Sequence, residues 1–241
     1  GKVDIINIDD GRYIQSILEK NPVLVSWSLR TSHLAILTFD YIVLFECHFD
    51  QGTFKPYWSK LNIIDIQSSI TYFNINNVRS ISFQYPYISI LHGDTITLHN
   101  CVNIGKFHTL SSASGSPSIA KLSYSGRVLA LCSYGSSRID FMSIHKSGCS
   151  PLSHKDHSSE ILSLCWRPGY STTRDLVLAC DVTNLIRIWA VEYLPSYRST
   201  DVHADIHLLL ELGDYVGRNT LCSWVLHGLT THAELAFLCD S

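Results

Sequence analysis

Charge is the first thing this chain is short of. Asp, Glu, Lys and Arg make up 16% of its 241 residues, against about 25% in ordinary soluble domains, while hydrophobic residues reach 46%. Such a composition implies large buried faces. No two Lys or Arg residues are adjacent anywhere, and the formal net charge is -3. There is thus no basic field to draw a phosphate backbone, and nucleic acid is not an expected partner. The wholly apolar stretches, such as Val128 to Cys132 and Leu208 to Leu210, fall far below the roughly 18 to 20 residues of a membrane helix. Direct membrane insertion is not expected either.

Several motifs are missing as well. The eight cysteines (Cys47, Cys101, Cys132, Cys149, Cys165, Cys180, Cys222, Cys239) stand singly, with no Cys-x-x-Cys. Several fall in apolar strand-like runs, where a reduced thiol behaves as a small hydrophobe, so they read as free structural thiols. The absence of any Asn-x-Ser/Thr sequon agrees with a reducing compartment. Gly1 to Ile6 has neither the charged leader nor the apolar core of a signal peptide, which makes a cytoplasmic location the expectation. Gly-x-Ser-x-Gly, Gly-x-x-x-x-Gly-Lys-Ser/Thr and Gly-x-Gly-x-x-Gly are all absent. Neither a hydrolase elbow nor a phosphate loop is announced, and no cofactor is implied.

What the chain does have is a repeat. Its clearest copy runs Glu160-Ile161-Leu162-Ser163-Leu164-Cys165-Trp166-Arg167-Pro168, then Asp175 to Cys180, then Leu185-Ile186-Arg187-Ile188-Trp189. Each copy is an alternating apolar strand ending in an aromatic, a turn, a second apolar strand often containing Leu-Ala, another turn, and a third strand. Earlier copies are Val23 to Trp27 with Leu34 to Leu37 and Tyr41 to Phe45, then Val78 to Phe83 with Tyr87 to Leu91 and Thr95 to Leu98, then Ile119 to Tyr124 with Val128 to Cys132 and Ile139 to Met142. A last copy begins at Leu221 to Trp224 and Glu234 to Leu238.

The aromatic anchors are Trp27, Phe83, Tyr124, Trp166 and Trp224. The intervals from Phe83 to Tyr124 to Trp166 match the about 40 to 45 residues of a propeller blade. The first and last intervals are longer and require insertions, placed within Gln51 to Thr71 and Pro195 to Ala204, where turn formers cluster. Smaller breaks fall at Ser111 to Ser118 and Lys146 to Pro151. Alternation of period two dominates, with at most one helical turn near Asp201 to Ile206. The expected fold is an all-β, WD40-like β-propeller, partial, with about five blades represented and a ring not closed by this chain alone. Blades are placed near 22–60, 78–110, 118–154, 157–194 and 219–241, with 1–19 as the end of a preceding blade, so that 1–241 is a portion of one propeller in a longer protein.

Few residue clusters suggest chemistry. His203, Asp205 and His207 would share one face of an extended strand at a spacing that suits zinc, but lie beside an insertion and lack a further ligand or second shell. His154, Asp156 and His157 precede Glu160, where a histidine hydrogen-bonds within the blade in repeats of this kind, so His157 reads as structural. Ser114-Gly115-Ser116-Pro117 reads as a linker. Scattered carboxylates in a central channel leave a glycosidase pair as a remote alternative. Among Tyr13, Tyr57, Trp58, Tyr72, Tyr85 and Tyr87, blade packing is expected to consume Tyr85 and Tyr87. Tyr57-Trp58, within an insertion, is the better interface candidate.

The copy from His157 to Trp189 resembles a WD40 repeat, with His157 in place of the opening Gly-His and Arg187-Ile188-Trp189-Ala190 where Trp-Asp normally stands. It departs at Thr183, where the usual turn Asp lies six before the Trp, and at Ala190. The hydrogen-bonded tetrad of a standard repeat is therefore expected to be broken, leaving packing to hold this blade. Over nearly the whole chain the order of features is similar to the amino-terminal propeller of the DmX and rabconnectin family, whose fungal member is the large subunit of the RAVE complex. The specific residues are Leu164-Cys165-Trp166-Arg167-Pro168, Asp175 to Cys180 and Arg187-Ile188-Trp189-Ala190-Val191-Glu192-Tyr193-Leu194. Upstream, Ser26-Trp27, Tyr57-Trp58-Ser59-Lys60 and Thr95-Ile96-Thr97-Leu98 follow in similar order.

That resemblance implies a cytosolic scaffold that helps rejoin the V1 and Vo sectors of the vacuolar proton-pumping ATPase, with V-ATPase sectors and RAVE-type subunits as partners. It implies association with vacuolar or endosomal membranes only through those partners, and no catalytic residues. The alternatives are a scaffold of another assembly (coat, nuclear pore or ubiquitin-ligase receptor) and a propeller enzyme with a channel site.

Overall fold

The computed structural model of the chain describes residues 1–6, 11–28, 31–66, 75–103, 107–110, 115–145, 148–169, 171, 173–194, 202–213, 221–226 and 233–238. A leading half-blade comprises β1 (Lys2–Ile6) and β2 (Tyr13–Leu18). The first full blade comprises β3 (Leu24–Ser28), β4 (His33–Leu37), β5 (Tyr41–Phe49) and β6 (Pro56–Asp65). The second comprises β7 (Val78–Gln84), β8 (Tyr87–His92), β9 (Thr95–Asn100) and β10 (Phe107–Leu110). In the third are β11 (Pro117–Leu122), β12 (Val128–Ser133), β13 (Arg138–His145) and β14 (Gly148–Asp156). In the fourth are β15 (Ile161–Trp166), β16 (Arg174–Asp181), β17 (Ile186–Tyr193) and β18 (Ala204–Leu212). A trailing half-blade holds β19 (Leu221–Leu226) and β20 (Ala233–Leu238). Each full blade is an antiparallel meander in chain order, and the half-blades form separate two-stranded sheets.

The first strands of successive full blades lie side by side, β3 by β7, β7 by β11 and β11 by β15, with β19 next to β15; β2 lies beside β6, and β10 beside β14. The leading half-blade therefore supplies the third and fourth strands of a blade, and the trailing one the first and second. The arc is open, since the two half-blades stay in separate sheets.

Composition follows position in this arc. The second strands are sandwiched between neighbouring blades, so every residue of His33–Leu37 and of Val128–Ser133 is buried. That explains runs that are apolar on both faces. Separate apolar clusters fill the junctions. Ala35, Leu37, Ile42 and Leu44 meet Phe83, Ile88 and Ile90 between the first and second blades. Phe141, Val128 and Ala130 meet Trp166, Val177 and Trp189 between the third and fourth. Each fully buried Leu, Ile or Phe contributes about 1.5 to 3 kcal/mol.

The ladders correct several expectations. Trp27, Phe83, Leu122 and Trp166 occupy one structural place, opposite Leu34, Ile88, Leu129 and Val177. The anchor of the third blade is therefore Leu122, and Tyr124 lies beyond the strand, because the slot selects for apolar volume at a fixed register and not for aromaticity. Four residues earlier, Arg79, Ser118 and Leu162 each fall in a β-bulge. The stretch 56–65, expected within an insertion, is the fourth strand of the first blade. Residues 148–151, expected at a break, open β14, and 204–206, expected near a helical turn, open β18. Thr71 and most of Pro195 to Ala204 lie outside the described residues.

Candidate functional site

The densest polar constellation sits in the fourth blade, where the turn from β16 to β17 meets the segment before β15. Asp181 is fully buried there. Its Oδ1 accepts hydrogen bonds from Thr183 N (2.9 Å), Thr183 Oγ1 (2.6 Å) and Leu185 N (3.1 Å). Its Oδ2 accepts from Ser158 Oγ at 2.9 Å and faces His157 Nδ1 at 3.3 Å. Asn184 takes the left-handed conformation that closes the turn, at φ 64°, which Asn tolerates better than most residues.

Burial holds the His157 imidazole below its ordinary value, against the pull of Asp181, and Arg187 pushes the same way as burial. Burial alone would raise Asp181, but hydrogen bonds from Thr183, Ser158 and His157 outweigh it and hold the carboxyl low. The pair is therefore a neutral imidazole donating Nδ1–H to a carboxylate.

This clasp amends the sequence reading. The expected loss of the tetrad rested on Thr183 standing six residues before Trp189, yet the carboxylate comes from Asp181, two residues earlier, and Thr183 is one of its donors. The histidine-to-aspartate half of the network is present. The other half is not: Trp189 Nε1 and His157 Nε2 are buried without hydrogen-bond partners. Ala190 is completely buried between β16 and β18, so an Asp there would strand a charge.

A second polar cluster joins the third and fourth blades. Asp175, buried at the start of β16, accepts from Tyr193 Oη and Ser125 Oγ, each at 2.5 Å, and those two hydroxyls are 2.9 Å apart. Arg127 lies over the Tyr193 ring at 4.9 Å. Burial, then the charge of Asp175, pushes the Tyr193 phenol up. These groups lock two blades together. Lighter staples serve elsewhere: Phe83 N donates to Ser26 Oγ (3.2 Å), Leu122 N to Ser82 Oγ (3.0 Å) and Trp166 Nε1 to Lys121 O (2.9 Å).

The metal candidate does not assemble. His207 lies 3.9 Å from Asp205 and 4.0 Å from Glu192 on the exposed rim, the geometry of loose ion pairing, while the backbone carbonyl of His203 accepts from Leu194 N. Among the described residues no group of three His, Cys, Asp or Glu side chains is placed to hold a metal ion. Among the described residues Cys47, Cys101, Cys132, Cys149, Cys165 and Cys180 take part in no disulfide. Burial pushes Cys101 and Cys149 up to about 12 and Cys132 higher still, so at neutral pH these are thiols and poor nucleophiles. A cavity of about 320 Å³ in the third blade is lined by Leu131, Met142, Pro151, His154, Arg138 and Asp140, and Arg138 Nε already engages the Asp140 carboxylate at 2.6 Å.

The aromatics divide. Tyr85 stacks on His33 with ring centroids 4.3 Å apart, and Tyr87 packs partly buried on the cluster between the second and third blades. Trp58 and Tyr57 point to opposite sides of β6. Trp58 meets Trp27 edge-on at 5.7 Å, and the Gln15 side chain brackets its backbone, accepting from its N–H (2.7 Å) and donating to its carbonyl (3.0 Å). Tyr57 is 47% exposed beside His48, and Tyr13 is exposed too. Tyr72 lies outside the described residues. Among these residues no helix is long and apolar enough to cross a membrane.

The chain has an all-β, WD40-like β-propeller fold, and solved structures agree. The β-propeller domain of Cps50 (Swd1) from Myceliophteria thermophila is similar with a TM-score of 0.54 at 15% sequence identity, over 93% of this chain and 69% of that one. At that identity the likeness is one of fold. No protein-family model matches the chain, and no curated protein does.

Proposed function

We propose that this chain is a non-enzymatic interaction platform within a multisubunit complex, and that the complex is a RAVE-like regulator that rejoins the V1 and Vo sectors of the vacuolar proton ATPase. One observation carries the first half of this reading: the buried carboxylates Asp181 and Asp175 are engaged in a turn and a blade junction, while aromatic and leucine side chains stand exposed on the outer strands. Propellers commonly present such surfaces to other proteins. Support for the second half comes from the Leu164 to Pro168 and Arg187 to Leu194 segments, with the Glu192-Tyr193-Leu194 continuation after Trp189.

On this reading Tyr57 is part of the partner-binding surface, the partners are V-ATPase sectors and RAVE-type subunits, and the protein is cytoplasmic and reaches vacuolar or endosomal membranes through them. Affinity purification of the tagged parent polypeptide tests it. Recovery of V1, Vo or RAVE-type subunits is the expected result. Recovery of coat, nuclear-pore or ubiquitin-ligase subunits in their place would assign the platform to another machine, and recovery of none would sink the reading.

A further inference from the structure

The outer edges of the four full blades are not equally guarded. The fourth strand of each has one edge that pairs with no strand among the described residues, and such an edge is a template for a further strand unless shortness, Pro, Lys or a bulge protects it. In the second blade β10 is only four residues long. In the first and third, Phe45 and Met142 occupy one structural place, opposite Leu34 and Leu129, and their partners on the outer strand are Lys60 and Pro151. Trp189 holds that place in the fourth blade, opposite Val177, and its partner is Leu208. Over its nine residues β18 contains neither Pro nor Lys nor Arg, and Leu208, Leu209 and Leu210 are 43%, 49% and 42% exposed. The bulge it does have is shared with β6 and β14, so β18 differs from them in lacking the other guards.

We infer that the unguarded edge of β18 accepts an extended segment of a partner protein as a fifth strand of the fourth blade, a segment of β-branched or leucine side chains with Lys or Arg at both ends. This rests on the interaction-platform half of the proposed function and adds a second binding element to Tyr57. Main-chain hydrogen bonds along the edge supply the grip, and the three leucines the apolar contact. The charge preference comes from the strand ends. Asp205 pairs with Glu192 across the ladder at one end, Glu211 stands near the other, and all three side chains are exposed. Arg187 Nε meets Glu211 at 2.6 Å, and His207 lies loosely beside Asp205 and Glu192. Three carboxylates against one guanidinium leave the edge acidic.

A second copy of this chain is the poorer occupant. Antiparallel pairing of two β18 edges about Leu208 sets Asp205 opposite Glu211, and like charges directly opposite destabilise a ladder. A foreign strand with cationic ends meets the same carboxylates with opposite charge.

The test uses the purified full chain and a short fluorescent peptide of alternating Val and Thr with Lys pairs at both ends. The peptide is expected to bind and to slow amide exchange in β18. Affinity should fall at least about tenfold for a Glu-ended peptide, and equally for one N-methylated at every core residue, which cannot hydrogen-bond along the edge. Leu208→Lys installs the guard of the first blade and should weaken binding at least about tenfold; if that variant fails to fold, the N-methylated peptide decides alone. The inference is overturned if the Lys-ended peptide does not bind, if either control peptide binds as well, if protection falls outside β18, if folded Leu208→Lys binds unchanged, or if the wild-type chain self-associates through β18. Partners recovered equally by tagged wild type and tagged Leu208→Lys would refute the edge and leave the platform standing. A wild type that recovers none would sink the platform, while the peptide still judges the edge.

Discussion

The first and fourth blades solve the same turn differently. Both must close the link between a buried second strand and a buried third strand. In the fourth, a buried carboxylate gathers donors from its own turn and from the segment preceding the blade, Asp181 with Thr183, Leu185, Ser158 and His157. In the first, a hydroxyl stands at the turn: Thr38 Oγ1 donates to Tyr41 O at 2.8 Å and accepts from Tyr41 N at 3.2 Å. The blades are otherwise alike in strand order and in the outer bulge, at Leu61 and Leu209. Stacking between blades therefore sets the blade geometry. The clasp adds a tie between the turn and the segment entering the blade.

Removing the clasp is expected to have the largest effect on this contrast. Asp181→Ala leaves His157, Ser158 and Thr183 without their acceptor in a dry site, and unfolding free energy should fall by about 3 kcal/mol; a loss under about 1 kcal/mol in urea unfolding would show that packing alone holds the fourth blade. Acidification separates the two turns without mutation. His157 is held below its ordinary value when folded, so the unfolded chain takes up the proton first as pH falls. The stability it contributes is complete above about pH 6.5 and declines below that, by at most about 1.4 kcal/mol per pH unit. The carboxylate of Asp181, held low, stays ionised through this window. Amide exchange at Thr183 and Leu185 should thus quicken between pH 7 and 5.5 relative to Tyr41, whose turn bonds involve only a hydroxyl and the backbone; equal change at both sites would refute the assignment.

A smaller effect is expected from Thr38→Val, which keeps the shape and removes the hydroxyl, at a cost of about 1 kcal/mol in thermal or urea unfolding. Smallest is Tyr57→Ala, which should shift stability by less than about 0.5 kcal/mol while weakening capture of the proposed partners. A large loss of stability there would return Tyr57 to the packing of the first blade.

Much of this was legible from the residues. The alternating strands with Leu-Ala in their second members marked three of the four complete blades. The outer strands were harder. In β6 the burial alternates irregularly and Pro56, Lys60 and Asn62 interrupt the apolar pattern, since a strand at the rim packs on one side only. That composition is also what a loop shows. Asp181 escaped because it was sought at the spacing of a standard repeat, whereas the turn from Asp181 to Leu185 takes its carboxylate two residues earlier. Trp58 was read with Tyr57 as one surface pair, but adjacent residues in a strand point to opposite sides.

By itself the sequence determined the all-β class and the rhythm of the blades, because these rest on local alternation and spacing. Only the tertiary structure decided that Leu122 fills the place Tyr124 was given, that Asp181 clasps His157, and that Trp27 stands open where Phe83 and Trp166 are covered. The first and last depend on which blade lies alongside, a contact between residues roughly 40 or more positions apart in a fold of this period, and the clasp joins residues 24 positions apart; local pattern does not carry that information.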